Sequence, residues 1–261
     1  MTAARAAGRL MRREQAAPKK INEQSQHDIK LELDVLCQKL IEKTLLRSFP
    51  RSGVLGEEGL AGREDAPLRW VVDPIDGTVN YTYGVPHACV SIALQERGDG
   101  GEFSTAAGVV YDPFCGELWT AARGGPARLN GKVIHASRRR NLAEAIVAIG
   151  FAKSSESLNE NLPVFNVLVR RARKIRMMGS AALSLTYVAS GRFDAYIESG
   201  ISLWDIAAGG LILECAGGEF WRRPLPGSGQ YRMIASNGLL RAKLERLARG
   251  ARQGAAAVLP R

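Results

Sequence analysis

The chain has 261 residues, of which 46% are hydrophobic and 24% charged, and 36 Lys and Arg against 26 Asp and Glu leave a formal net charge of +10. That length and apolar content suit a globular protein with a full core, and no apolar run approaches the ~20 residues of a membrane span, so no membrane partner is expected. The basic excess suits attraction of phosphate-bearing molecules, but aromatics do not alternate with the basic clusters, so a base-stacking nucleic-acid surface is not expected.

Residues 1–27 are rich in Ala and Arg, lack the continuous apolar stretch of a secretory signal, and are expected to form a flexible basic tail. Ile29, Leu31 and Leu33 then alternate with Lys30, Glu32 and Asp34, a short strand-like signal. From Leu33 the period changes. Leu33, Leu36, Cys37, Leu40, Ile41 and Leu45 share one helical face, which predicts an amphipathic helix to about Phe49 with Asp34 at its N-cap. Gly56-Glu57-Glu58-Gly59 follows and reads, by itself, as a solvated turn. The cysteines, Cys37, Cys89, Cys115 and Cys215, are scattered in apolar surroundings without a C-x-x-C pair, as expected of buried free thiols in a reducing cytoplasm. His27, His87 and His135 are equally dispersed, so a His-based metal site has little material.

Trp70-Val71-Val72 is a run of β-formers that delivers Asp73 at its end. Pro74 is expected to stop the strand, and Asp76-Gly77-Thr78 to make a tight turn with helix-starting character. Two carboxylates three residues apart, with the Ile75 carbonyl between them, can face one point. Hard divalent cations such as Mg²⁺ take that all-oxygen arrangement. The Gly77 and Thr78 amides can point at an anion, so metal and phosphate would sit side by side. Asp-Pro and Asp-Gly are ordinary turn pairs taken singly. The whole string Trp70 to Asn80 after an apolar strand is far more specific.

Residues 88–94, 106–111, 117–122 and 132–135 are short apolar-rich runs separated by turn residues, which predicts an antiparallel meander. Composition changes near Asn141, where the domain boundary is placed: an α+β half over 28–140 and an α/β half over 141–261. The second half reads as a strand at 142–150, a helix at 162–174 with a basic outer face, and a helix at 181–189 capped by Ser180. A strand at 193–197 leads to Glu198, and a helix from Trp204-Asp205 to Cys215 is stopped by Gly217-Gly218. An isolated Asp at such a helix start is more often a cap than a ligand.

Two strings, Asp73-Pro74-Ile75-Asp76-Gly77-Thr78 and, later in the chain, Trp204-Asp205-Ile206-Ala207-Ala208-Gly209, resemble the two hallmarks of the inositol monophosphatase family, Mg²⁺-dependent, lithium-sensitive sugar phosphatases. Weaker matches lie at Asp28 to Asp34, with Leu31 where the family has Thr, and at Glu57, with Gly59 where the family has Ser. Others lie at 108–113, at Arg176 to Ala182 and at 214–218, so that the resemblance spans about Asp28 to Asn237. It implies an α/β protein built as a layered α/β/α/β/α sandwich, and a homodimer. It also implies a phosphoric monoester hydrolase for a small polyol or sugar phosphate, of the myo-inositol-1-phosphatase type, with two or three Mg²⁺ ions and Li⁺ as inhibitor.

The resemblance assigns Glu57, Asp73 and the Ile75 carbonyl to one metal, and Asp73, Asp76 and Asp205 to a second. Thr78 paired with Asp34 would activate the attacking water, and the Gly77 and Thr78 amides would bind phosphate. Gly179, Ser180, Ala181 and Glu198 would contact substrate hydroxyls. Ser202 stands where the animal inositol enzymes carry His, so their exact sugar contacts do not transfer. Fructose bisphosphate, histidinol phosphate and adenosine 3',5'-bisphosphate are alternative substrates within the superfamily. A binding protein for RNA or a transcription complex on the same fold is an alternative of another class. No Ser-His-Asp elbow, Walker motif or dinucleotide G-x-G-x-x-G is present to support other enzyme classes.

Overall fold

A computed structural model describes residues 1–24, 29–151 and 155–256, so His27 and Asp28 lie outside the described residues. Helices α1 (Thr2–Glu14) and α2 (Glu32–Ser48) flank a small antiparallel pair, β1 (Ile21–Gln24) and β2 (Ile29–Leu31). Next come β3 (Gly53–Gly56), β4 (Gly59–Gly62), β5 (Leu68–Asp76) and the short helix α3 (Thr78–Thr82). The meander is β6 (Cys89–Arg97), β7 (Phe103–Asp112), β8 (Glu117–Ala122), β9 (Arg128–Leu129) and β10 (Lys132–Val133). The second half alternates: β11 (Ile146–Ile149), α4 (Ser155–Arg171), β12 (Lys174–Arg176), α5 (Ala181–Ala189), β13 (Ala195–Ile201), α6 (Leu203–Cys215), β14 (Glu219–Pro224), β15 (Tyr231–Ser236) and α7 (Arg241–Ala256).

An eight-stranded sheet runs β10-β9-β8-β7-β6-β5-β3-β4, and a five-stranded sheet runs β12-β11-β13-β15-β14. In the first only the β3–β5 pairing is parallel; in the second β12, β11 and β13 are parallel and the other pairings antiparallel. Helices α1 and α2 cover one face of the large sheet, and α5 and α6 lie between the two sheets. Helices α4 and α7 pack together on the far face of the small sheet. The result is an α/β/α/β/α sandwich with an apolar cluster at each interface. The middle helices are made of small residues, Ala181-Ala182 in α5 and Ala207-Ala208-Gly209-Gly210 in α6, which lets both sheets approach them. Among the described residues no helix is long and apolar enough to cross a membrane.

The N-terminus is not a tail over its first residues. Ala3, Ala4, Ala7, Gly8 and Met11 fall on one face of α1 and are buried, and the Tyr81 hydroxyl donates to the Met11 carbonyl at 2.8 Å. The Lys19 ammonium closes the end of α1 by donating to the Glu14 and Gln15 carbonyls at 2.6 and 2.7 Å. The composition reading missed this helix because alanine carries little hydropathy, while Arg5, Arg9, Arg12 and Arg13 dominate the count. Met11 has no exposed surface, so Met11→Ala is expected to cost roughly 2–5 kcal/mol in denaturant unfolding. An unchanged midpoint would return residues 2–14 to the status of a solvated arm.

Other elements also depart from the sequence reading. Strand β5 does not stop at Pro74 but continues to Asp76, with its register against β6 slipping between Asp73 and Asp76. At such an irregularity proline's missing N–H costs no ladder bond. Helix α4 starts at Ser155 and carries Pro163 inside it, where the residues pointed to a start at 162. The stretch 142–150 opens with a 3₁₀ turn (Leu142–Glu144) before its strand. Cys37 and Cys89 are buried, but Cys115 is exposed in the β7–β8 turn and Cys215 is only partly covered.

Candidate active site

The register slip in β5 shapes the site. Side chains alternate along a strand, so residues 73 and 76 of a regular strand would face opposite ways. The irregularity turns both carboxylates to one side, with Asp73 opposite Ser91 and Asp76 opposite Cys89. The Ile75 amide donates to Asp73 Oδ1 at 3.0 Å and fixes its orientation. Gly77 then takes a left-handed conformation, φ 97°, as N-cap of α3. A Cβ there would stand 2.9 Å from the His87 carbonyl oxygen and 3.2 Å from that of Gly179, so only glycine fits.

Three further elements bring carboxylates to this point. Asp205 is the third residue of α6, and its Oδ2 accepts from the Ser202 amide at 2.9 Å. It therefore caps the helix and faces the cluster at once: ligand-type oxygens of Asp73, Asp76 and Asp205 lie within 4.8 Å of one another. Glu57 follows β3, its amide bonded to the Val72 carbonyl at 3.1 Å. Gln38 of α2 holds the same turn, accepting from the Glu58 amide at 2.9 Å and donating to the Gly59 carbonyl at 3.2 Å. Glu57, Ile75, Gly77 and Thr78 line one cavity of about 330 Å³ with the three aspartates.

Asp34 is the third residue of α2 rather than its N-cap, which is Leu31; its Oδ2 reaches back to accept from the Leu31 amide at 2.8 Å. The Thr78 hydroxyl lies 2.8 Å from the Ile75 carbonyl and 3.4 Å from Asp34 Oδ1, so a small rotation decides which of the two accepts its hydrogen bond.

Burial above all, then Glu57, Asp76 and Asp205, pushes the Asp73 carboxyl well above the usual range. Glu57 is raised likewise by burial, then by Asp205, Asp34 and Glu58. Asp76 is raised by burial but held back by three donors: the Ser180 hydroxyl at 2.6 Å and the Ala182 and Ala181 amides at 2.7 and 3.1 Å. Asp73 is in hydrogen-bonding contact with both Glu57 and Asp205. Carboxyl groups so close must share protons or cations. The donors are all oxygen, without imidazole or thiolate, and that set fits hard divalent cations of the Mg²⁺ type.

A second cavity, about 470 Å³, adjoins the first and shares Asp76, Asn80, Gly179 and Asp205 with it. Ser180, Ala181, Tyr196 and Glu198 line it. Burial pushes the Glu198 carboxyl up to about 8, against a hydrogen bond from Tyr196 and with Asp205 and Asp76 adding to the rise. Glu198 lies inside β13, not beyond its end. The Ser180 hydroxyl and the Ala181 amide are engaged by Asp76, so they hold a carboxylate of the acidic cluster as well as lining the second cavity.

Three residues gained no role from the sequence. Asn80 donates to the His87 carbonyl at 2.9 Å and the Met178 carbonyl at 2.8 Å, tying the two walls of the site together. Gln38 carries the Glu57 turn, and Tyr196 meets Glu198. Asn80 closes the string that begins at Trp70, which was its only signal.

A model of the inositol monophosphatase family matches residues 1–254. The chain is 42% identical over 220 residues to the Nus factor SuhB of Xylella fastidiosa, covering 83% of this chain and 78% of that protein. It is 37% identical over 200 residues to the inositol-1-monophosphatase of Rhizobium meliloti, covering 76% and 72%. Among solved structures, the extragenic suppressor protein suhB of Bartonella henselae superposes with a TM-score of 0.87 at 33% identity, over 95% of each chain.

Proposed function

Because the chain belongs to the inositol monophosphatase family, we propose that it is a Mg²⁺-dependent phosphomonoesterase for a small polyol or sugar phosphate, inositol monophosphate foremost. The observation that carries this reading is the convergence of Asp73, Asp76 and Asp205 beside a polar cavity that holds Glu198. Glu57, Asp73 and the Ile75 carbonyl would hold one Mg²⁺, and Asp73, Asp76 and Asp205 a second. Ions held there would supply charge neutralisation for the phosphate, a lowered pKa for the attacking water and stabilisation of the leaving oxygen.

The chain's own groups do the rest. Thr78 turns its hydroxyl to Asp34, so that as its oxygen takes a proton from the attacking water its own proton passes to the Asp34 carboxylate, which ends the step protonated. The Gly77 and Thr78 amides bind phosphate oxygens, and Glu198 accepts a hydrogen bond from a substrate hydroxyl.

The test is phosphate release from inositol 1-phosphate, fructose bisphosphate, histidinol phosphate and adenosine 3',5'-bisphosphate, with and without Mg²⁺ and with added Li⁺. Release without Mg²⁺, or from none of them, would defeat the proposal. Assayed above pH 8, where the Glu198 carboxyl is ionised, Glu198→Gln should lower kcat/KM for inositol 1-phosphate about tenfold, the worth of one hydrogen bond to a charged group, and leave the Mg²⁺ requirement in place. A homodimer in the cytoplasm is the state this reading carries; a monomeric mass by light scattering would remove the first half of it.

A second reading has one observation in its favour: relatives at up to 42% identity are named Nus factor SuhB, which suggests a transcription-associated role. The exposed Arg170, Arg171, Arg173, Lys174 and Arg176 on and beside the edge strand β12 give it a surface. RNA binding tighter than ~1 μM at physiological salt, lost in the double variant Arg170→Ala and Arg171→Ala, would establish it, because non-specific binding is weaker than that.

A further inference from the structure

We propose that Tyr196 is a positioning residue that fixes Glu198 as the acceptor of a single substrate hydroxyl, an inference that rests on the phosphatase reading above. Tyr196 and Glu198 are two apart on β13 and so share one face of the strand. The buried Tyr196 hydroxyl donates to Glu198 Oε2. Both side chains line the cavity that also holds Gly179, Asp76 and Asp205.

Tyr196 and the backbone behind it hold the carboxylate on two sides, and the strand beneath it is held from its opposite face. Behind it lies Gly150, where any Cβ would collide with both Glu198 oxygens; the Gly150 amide is itself bonded to the Ile197 carbonyl at 3.1 Å. On the opposite face of the strand the Ser199 hydroxyl donates to Glu160 of α4 at 2.6 Å, and Arg232 of β15 holds the same Glu160 oxygen at 3.1 Å. The backbone under Glu198 is therefore pinned, and the phenol sets the last torsion of its side chain. With Oε2 turned to Tyr196, Oε1 is the oxygen presented to a ligand. Glu198 then reads one hydroxyl rather than a vicinal pair, and Tyr196 matters only for substrates that bring that hydroxyl.

The experiment is steady-state kinetics of wild type, Tyr196→Phe, Glu198→Gln and the double variant on two esters in saturating Mg²⁺. Inositol 1-phosphate offers hydroxyls; 4-nitrophenyl phosphate offers none. The ratio of kcat/KM between the two is expected to fall about tenfold in Tyr196→Phe, through a higher KM for inositol 1-phosphate with kcat within about twofold. In Glu198→Gln background the tyrosine substitution should add little, because the two residues act as one unit. A ratio unchanged within about twofold, or additive effects in the double variant, overturns the positioning role while leaving the phosphatase reading intact. A wild-type protein that cleaves only the aromatic ester overturns the polyol assignment and this inference with it. No Mg²⁺-dependent release from either ester overturns both readings.

Discussion

Asp205→Asn is expected to lower Mg²⁺-supported kcat by about 10²-fold or more while the metal-free protein melts close to wild type. The cap is the reason for the second half. Asp205 Oδ2 accepts from the Ser202 amide, and an asparagine oxygen at the same third position of the helix can keep that bond. Asp205 also contributes to the raised carboxyls of Glu57 and Asp73. Losing its charge therefore relieves repulsion in the metal-free state. The expected loss of activity has another origin: one negative charge would leave the proposed hard-cation site, metal affinity would fall, and the developing charge on the leaving oxygen would lose an electrostatic contact of the kind worth 10²–10³ in rate. The measurement is kcat against Mg²⁺ concentration for both proteins, with melting curves in chelator. Wild-type activity at low Mg²⁺ would leave Asp205 as a cap alone and end the two-ion assignment.

What the residues revealed before the fold was known followed from how locally the information is written. Asp73, Ile75, Asp76, Gly77 and Thr78 occupy one strand end and the turn after it, and Trp204-Asp205 opens a helix. Contiguous residues with unusual chemistry make a readable string. The features that stayed hidden are joined only through space. Ser180 and the Ala181 and Ala182 amides bond to Asp76 from the other sheet's side, and nothing near either position announces it.

Periodicity failed where it was diluted. The small-residue face of α1 has little hydropathy against four arginines, and the bulge in β5 disguised a strand as a strand end. The extension of β13 to Ile201 places Glu198 on the strand and beside Tyr196. The residues alone pointed to an end at 197, which separated Glu198 from the element that positions it.

Asp73→Asn is expected to abolish most activity, about 10³-fold in kcat, and at the same time to stabilise the metal-free protein by on the order of 1 kcal/mol. Asp73 is fully buried, and its carboxyl is raised by that burial first and by Glu57, Asp76 and Asp205 after it. Asparagine keeps the oxygen that accepts from the Ile75 amide and turns an amide donor towards the surrounding carboxylates, replacing repulsion by hydrogen bonds. The pH dependence follows from the direction of the shift. An acid whose folded pKa lies above its unfolded value of ~3.9 binds its proton more tightly in the fold, so the wild type keeps full stability below ~3.9 and loses it as pH rises through the raised value. The variant has no such proton to lose, and its advantage in chelator should therefore be larger at pH 8 than at pH 5. Mg²⁺ should reverse the order at pH 8: a cation at 100-fold its Kd adds about 2.7 kcal/mol to the wild type, and the variant, lacking the carboxylate proposed to serve both ions, should gain far less. Melting curves at the two pH values, in chelator and in Mg²⁺, read all of this at once. A variant less stable than wild type in chelator at pH 8 would show that Asp73 is satisfied without a cation, and that the acidic cluster is a structural feature of the fold.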